Sequence, residues 1–281
     1  MRKALSEWFE PRRSAYPWRN PRPDPYAVLV SEVMLQQTQA ARVVRPYRAF
    51  LARFPDLGAL AESSRADVVR AWAGLGYNRR AVALHEAARA IVARHAGEVP
   101  RDTTSLEALP GVGPYTAAAV ASIAFGEPTP ALDTNARRVI ARACVGHEPE
   151  ELATREIRAA AAQWIDPMDP GAWNAAIMDL GRELCRRRDP SCHACPLRRG
   201  CNFRRCGRLA GSVARRQTPY PGSSRKLRGD IVRLLRARGS ASLGELEEAT
   251  EGSGTRVREA VRGLVADGLL EMEGDRPRLP A

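Results

Sequence analysis

The stretch Leu106-Glu-Ala-Leu-Pro-Gly-Val-Gly-Pro-Tyr-Thr-Ala-Ala-Ala-Val120 decides the fold. A helix closing at Leu109 runs into Pro110-Gly-Val-Gly113, which stops it in a tight turn. A second helix then opens at Pro114, where proline's missing N–H costs nothing. The free N–H groups of the second helix's first turn point outward. With glycines admitting a phosphate to the backbone, Leu109, Gly111, Val112 and Gly113 are expected to form a helix-hairpin-helix site that holds a nucleic-acid strand without reading its sequence. A plain helix connector is the competing reading of the turn alone. The uncharged run from Tyr115 to Gly126 is too short to span a bilayer and predicts a buried helix.

Working upstream, helical periodicity fills nearly every window from Tyr26 to His95. Breaks fall at Phe54-Pro55, Glu62-Ser-Ser64 and Gly74-Leu-Gly-Tyr77, and no alternating strand pattern occurs, so the body is predicted to be all-helical. Residues 1–25 hold a short helix from Ala4 to Phe9 and a Pro/Arg-rich lead-in. Within the helical body, Ser31-Glu-Val-Met-Leu-Gln-Gln-Thr-Gln39 places Glu32 among apolar neighbours. Burial raises a carboxyl's pKa, and an acid still protonated near neutrality can donate its proton. Gln36, Gln37 and Thr38 supply the donors and acceptors that read a base edge. A glutamate on the wet face of an amphipathic helix is the plainer alternative.

Downstream, Pro130-Ala-Leu-Asp-Thr-Asn-Ala-Arg-Arg-Val139 offers Asp133, by itself a helix N-cap. Paired with Glu32 it becomes one of two carboxyl groups, one protonated and one ionised, that can flank a glycosidic bond. Cys185, Cys192, Cys195 and Cys201 follow at separations of six, two and five residues. The N-terminus has no secretory h-region, which points to reduced thiols in a cytosolic protein. A single Cys-x-x-Cys knuckle favours a [4Fe-4S] cluster over zinc. Cys144 and Cys206 fall outside the pattern, Cys144 as a small core residue.

The charge is as localised as the cysteines. Residues 185–228 carry thirteen Arg or Lys against one Asp, so this block accounts for the whole net charge of +12. A concentrated positive block interleaved with cysteines predicts a polyanionic partner; a solvated basic tail is the alternative. Residues 207–224 read as a linker. Beyond it, helices at Arg225–Arg238, after the capping box Ser242-Leu-Gly-Glu245, and at Thr255–Asp267 precede a hairpin of Leu269–Met272 and Pro277–Leu279. That order suggests a winged helix, with Arg256, Arg258 and Arg262 available to a groove or the module serving as a protein-binding appendage.

These motifs, in this order, resemble the adenine DNA glycosylases of the helix-hairpin-helix superfamily, relatives of endonuclease III. The likeness covers about residues 1–205 and rests on PWR, SEVMLQQTQ, GLGYNRRA, LPGVGPYT, LDTNARRV and the cysteine spacing. It implies a mainly α fold: a six-helix barrel module over 26–129, and a second helical module from 1–25 and 130–206 that carries the cluster. A 207–224 linker and a winged-helix-like domain over 225–281 complete the expected organisation. It implies a monomer that excises adenine opposite 8-oxoguanine or guanine in double-stranded DNA. Glu32 would protonate the adenine, Asp133 would stabilise the sugar cation, Tyr115 and Asn135 would support them, and Gln36, Gln37, Thr38, Tyr77 and Asn78 would insert near the lesion. The chain departs from the family at Asn78, where many members have a second Tyr, and in lacking a β-rich carboxy-terminal domain. Both departures predict weaker discrimination of 8-oxoguanine from guanine. Only Lys3 and Lys226 are lysines, and Tyr115 stands where lyase relatives carry theirs, so the enzyme is expected to stop at base removal. Another mismatch or damaged-base glycosylase, acting on thymine or uracil opposite guanine, and an iron-sulfur DNA-binding regulator are the rival readings.

Overall fold

Helix follows helix along the chain because apolar residues recur at helical spacing and Asp, Ser, Gly and Pro punctuate them. A computed structural model of the protein describes residues 1–20, 24–208, 220–250 and 252–280. Its helices are α1 (Arg2–Phe9), α2 (Pro25–Leu35), α3 (Ala40–Arg53), α4 (Leu57–Glu62), α5 (Arg65–Ala71), α6 (Arg79–Arg94), α7 (Thr103–Glu107), α8 (Pro114–Phe125), α9 (Thr134–Ile140), α10 (Thr154–Trp164), α11 (Pro170–Glu183), α12 (Asn202–Arg205), α13 (Ser224–Arg238), α14 (Leu243–Ala249) and α15 (Gly254–Ala266). Strands β1 (Glu271–Glu273) and β2 (Arg276–Arg278) close the chain as an antiparallel hairpin, Met272 opposite Pro277. The linker expected at 207–224 falls mainly on 209–219, and the lead-in partly on 21–23, outside the described residues. No helix among the described residues is long and apolar enough to cross a membrane.

The fold divides into two compact units. One gathers Met1–Glu32, Val99–Ala108 and Val112–Ala214, the other Val33–Glu98, Leu109–Gly111 and Arg215–Ala281, taking in each case the described residues.

In the first unit α11 is the central helix, packed by α1, α8 and α9. Its core joins Leu5, Phe9, Ile140, Ile157, Ile177 and Leu180, and Trp164 meets Trp173 edge-to-face with centroids 5.6 Å apart. Close approach depends on small residues: a Cβ on Gly181 would sit 2.8 Å from Asn135 Cβ and 2.9 Å from its carbonyl oxygen. Buried Asn174 and Asp179 are paired, as burial requires, whereas the ring N–H groups of Trp164 and Trp173 find no partner among the described residues. Asn174 accepts from the Ala131 amide at 2.8 Å and donates to Ser122 Oγ at 2.9 Å and to the Thr129 carbonyl at 3.0 Å. This fixes the segment leading to Asp133. Buried Asp179 meets Arg19 at 2.9 Å and Arg182 at 2.8 Å.

In the second unit α4 and α5 pack on α6, around a fully buried Trp72 that stands edge-on to Phe50 at 5.8 Å. Helices α13 and α14 pack on α15, and Ser242 and Glu245 form the expected reciprocal cap on α14. Three helices and a hairpin thus occur in the anticipated order, with the strands shorter than read from sequence. α7 also ends two residues early, at Glu107, because the Ala108 amide turns back to the Thr104 and Leu106 carbonyls.

Candidate active site

Glu32 lies inside α2, flanked by buried Leu29, Val30, Ser31 and Val33, and is itself 4% exposed. Tyr115, in the first turn of α8 where Pro114 begins the helix, donates its hydroxyl to Glu32 Oε2 at 3.1 Å and lies 3.0 Å from Met178 Sδ. Burial pushes the Glu32 carboxyl up to about 7. The Tyr115 bond opposes that rise, the Asp133 charge adds to it and Arg19 offsets part of it. Burial likewise lifts the Tyr115 phenol well above its ordinary value, so it stays a donor. The carboxyl is thus half-protonated near neutrality, and the phenol orients it.

Asp133 is the N-cap of α9. Its Oδ1 accepts from the Ala136 amide at 2.6 Å and its Oδ2 from Asn135 Nδ2 at 3.0 Å. Burial raises its pKa against the pull of these bonds. The cap and candidate catalytic readings are therefore compatible: the donors that cap the helix also hold the carboxylate still. Asn135 is fixed in turn, its Oδ1 accepting from Arg138 Nη2 at 2.8 Å. Arg138 also donates to the Gly181 carbonyl at 2.7 Å and, through Nε, to the Cys185 carbonyl at 2.6 Å. An unbroken polar chain therefore runs from Asp133 to the backbone of Cys185. Sequence reading assigned Arg138 no role.

Cys185, Cys192, Cys195 and Cys201 are half-buried, whereas Cys206 is exposed. Burial lifts the Cys195 thiol to about 11; the Leu197 amide lowers it, and Cys185, Cys201 and Cys192 each add to the rise. Cys185, Cys195 and Cys201 pack against the core of the first unit. Among the described residues no three His, Cys, Asp or Glu side chains converge as a single ion requires. Buried Arg142 encloses the group: it pairs with Glu148 at 2.8 Å, donates to the Arg186 and Arg187 carbonyls, and places Nη1 3.8 Å from Cys185 Sγ. Its carbonyl lies 3.8 Å from Cys201 Sγ. Burial raises the Cys185 thiol against a lowering by the Arg142 charge, and lowering is the direction that a metal-bound thiolate requires. Cys144, in the π-helical turn that continues α9, packs on the same core with its thiol pushed by burial to about 12.

The remaining candidates belong largely to the second unit. Gln36, Gln37 and Thr38 form a turn after α2 in which Gln37 takes a left-handed φ of 55°. Gln36 donates to the Gly111 carbonyl at 3.4 Å. Arg80, buried and likewise missed from sequence, organises this region: it donates to the carbonyls of Val33, Met34, Gln36, Leu75 and Gly76 and to Thr38 Oγ1. Tyr77 is 44% exposed with φ 45°. The Asn78 side chain is already engaged, its Oδ1 accepting from Arg236 Nη2 at 3.0 Å. A cavity of about 930 Å³ is lined by Gln36, Gln37, Tyr77, Asn78, Tyr220 and Arg228, among others. In the hairpin turn, Leu109 and Val112 bury their side chains, leaving backbone to a ligand. Position 111 must lack a Cβ, both for a φ of 74° and because a Cβ there would lie 2.6 Å from Ala83 Cβ. Gly113 is the N-cap of α8.

Comparison with known proteins matches residues 30–167 to the HhH-GPD superfamily base excision DNA repair protein family. An adenine DNA glycosylase of Mycolicibacterium smegmatis is 39% identical over 272 residues, covering 96% of this chain and 92% of that protein. One from Mycobacterium tuberculosis is 39% identical, covering 95% and 88%. The human adenine DNA glycosylase is 41% identical over 213 residues, 72% of this chain and 39% of its own. The mycobacterial matches thus continue into the tail. Among solved structures, a thermostable thymine-DNA glycosylase is 29% identical with a TM-score of 0.66, covering 73% of this chain and 95% of that one. A non-covalent endonuclease III–DNA complex, at 24% identity and a TM-score of 0.60, shares the fold.

Proposed function

We propose, for a chain that belongs to the adenine DNA glycosylases of the helix-hairpin-helix superfamily, that it hydrolyses the N-glycosidic bond of adenine mispaired with 8-oxoguanine or guanine in duplex DNA. The observation that carries this reading is a carboxyl group held near pKa 7 inside α2 and oriented by Tyr115, with Asp133 close enough to raise it. Adenine leaves poorly as an anion and tolerably once its ring is protonated, which is the work assigned to Glu32. The deoxyribosyl centre left behind gathers positive charge, and an ionised Asp133, held by Ala136 and Asn135, lowers that barrier electrostatically. Neither group can reach a stacked base, so the adenine must leave the helix. Gln36, Gln37, Thr38 and Tyr77 are assigned to the lesion, Asn78, its amide oxygen taken by Arg236, to the turn that carries Tyr77, and the 109–113 turn to a backbone phosphate.

The four cysteines are assigned to a [4Fe-4S] cluster, which would hold the arginine-rich ligand loop as a rigid basic knob and supply no reacting atom. Arg142 and Arg138 tie its ligand loop to α9. Purified protein should contain about four irons per chain; one zinc and no iron would overturn the assignment.

The test of function is excision from duplexes with A opposite 8-oxoguanine, G or C, and T or U opposite G, the last pair because a thymine-DNA glycosylase shares the fold. Adenine release opposite 8-oxoguanine and G is expected. Release of T or U alone would replace this reading.

A further inference from the structure

Residues 78 to 80 follow an exposed aromatic in a strained conformation, and each is tied to a different partner within the second unit. Arg80 binds the turn after α2, through the carbonyls of Val33, Met34 and Gln36. Arg79 pairs with Asp267 at 3.2 Å, just past the end of α15, where Arg228 of α13 joins the same carboxylate. Asn78 occupies the N-cap of α6, a place where its side chain would ordinarily bind the helix's own amides. It makes no such bond and instead accepts from Arg236 of α13.

Arg236 is an expensive partner. It is buried enough for desolvation to push it down to about 10, and its Nε finds no hydrogen-bond partner among the described residues. A buried guanidinium left, among the described residues, with a neutral amide and no carboxylate is costly, and apolar residues would pack there more stably. Meanwhile the neighbouring Tyr77 keeps a left-handed backbone and projects into the cavity that Tyr220 and Arg228 of the carboxy-terminal segment also line. Strain of this kind persists only where the surroundings over-determine it, and an exposed ring beside basic groups can stack on an unpaired base.

We propose that the carboxy-terminal module, residues 220–280, clamps the Tyr77 turn, and that Arg236 is a positioning residue that presents Tyr77 to DNA through Asn78. The proposal rests on the glycosylase reading. It gives the tail a task other than sequence-independent affinity: it sets the probe that distinguishes a mispair from a normal pair.

The test uses full-length, iron-loaded enzyme and two duplexes, A:8-oxoguanine and A:T, with 2-aminopurine beside the base opposite A. Binding is compared as the ratio of affinities for the two duplexes, and unstacking as the fluorescence rise on binding. Arg236→Met and Asn78→Ala are each expected to cut the ratio by about tenfold, the worth of one hydrogen bond from a charged donor. Both should blunt the fluorescence rise. The double variant should be no worse than either single, because one contact is lost in all three. Melting temperature should hold or rise in Arg236→Met, which separates positioning from simple support of the fold. Arg233→Ala, an exposed neighbour on α13, should leave both readouts unchanged.

Wild-type ratio and fluorescence in Arg236→Met would overturn the clamp, as would a double variant losing the product of the single factors. Loss that merely tracks a lowered melting temperature would do the same. Should Arg236→Met fail to fold, Asn78→Ala decides alone by the same ratio at unchanged stability. A wild-type enzyme that binds A:8-oxoguanine no better than A:T overturns the glycosylase reading itself; one that discriminates while Arg236→Met matches it overturns the clamp only.

Discussion

At the scale of single residues, Glu32 ties activity and stability to the same proton. Its ordinary value is 4.5 and burial takes it to about 7, so the folded protein favours the protonated form. That contribution to stability is fully present below 4.5 and is lost as pH rises through about 7. At pH 8 the enzyme holds a buried charge at a cost of about 3 kcal/mol. Glu32→Gln is therefore expected to abolish excision, keep DNA affinity and melt higher than wild type at pH 8, with the gap closing toward pH 5. Near wild-type excision by this variant would remove Glu32 from the mechanism. Wild-type single-turnover excision should fall as pH rises through about 7, and Tyr115 sets where. Its hydroxyl donates to the carboxylate and so favours the ionised form. Tyr115→Phe should move that falling limb to higher pH by up to about one unit, the equivalent of one hydrogen bond. A limb that stays put or moves down would show that the phenol does not act on Glu32.

At the scale of elements, the start of α9 does two jobs that substitution can separate. Asp133→Asn keeps a capping acceptor and should change stability by less than ~1 kcal/mol, while losing the charge that steadies the sugar cation and at least ~100-fold in excision rate. Asp133→Ala should lose both, with ~1–2 kcal/mol of stability gone from the open cap. Thermal melts beside single-turnover rates check the pair, and an active Asn variant would mean the negative charge is not used. One helix away, Gly181→Ala must drive α11 off Asn135, at an expected cost of ~1–3 kcal/mol on the same melts. These elements also show what sequence could carry. The hairpin turn and α8 were legible because proline and glycine write their backbone demands locally, and Glu32's burial was legible from its apolar neighbours. Arg80 was not, because most of its partners are carbonyls, which carry no side-chain signature. Arg138 and Gly181 were hidden for a related reason: their partners are brought close only when α9 meets α11. Asn78 read as a side chain free for DNA, since nothing nearby in sequence announces a partner 158 residues away.

At the scale of the whole molecule, the choice of arginine over lysine limits the chemistry. Only two of the 44 basic residues are lysine, so the strongly positive chain offers DNA charge and hydrogen bonds with almost no primary amine. A guanidinium stays protonated and does not attack an aldehyde, whereas strand cleavage through a Schiff base needs an amine at the abasic sugar. Lys3 is solvent-exposed on α1 and pairs with Glu7 at 3.9 Å. Lys226 pairs with Asp230 along α13 at 3.2 Å. The position expected to hold the lyase lysine is Tyr115, committed to Glu32 by its hydroxyl. The enzyme is therefore expected to release adenine by hydrolysis and leave the abasic strand intact until alkali is added. Borohydride present during the reaction should trap little enzyme on DNA, far below the amount of adenine released. Trapping in step with excision would show that an amine reaches the sugar, and Lys3→Arg and Lys226→Arg would then identify which one.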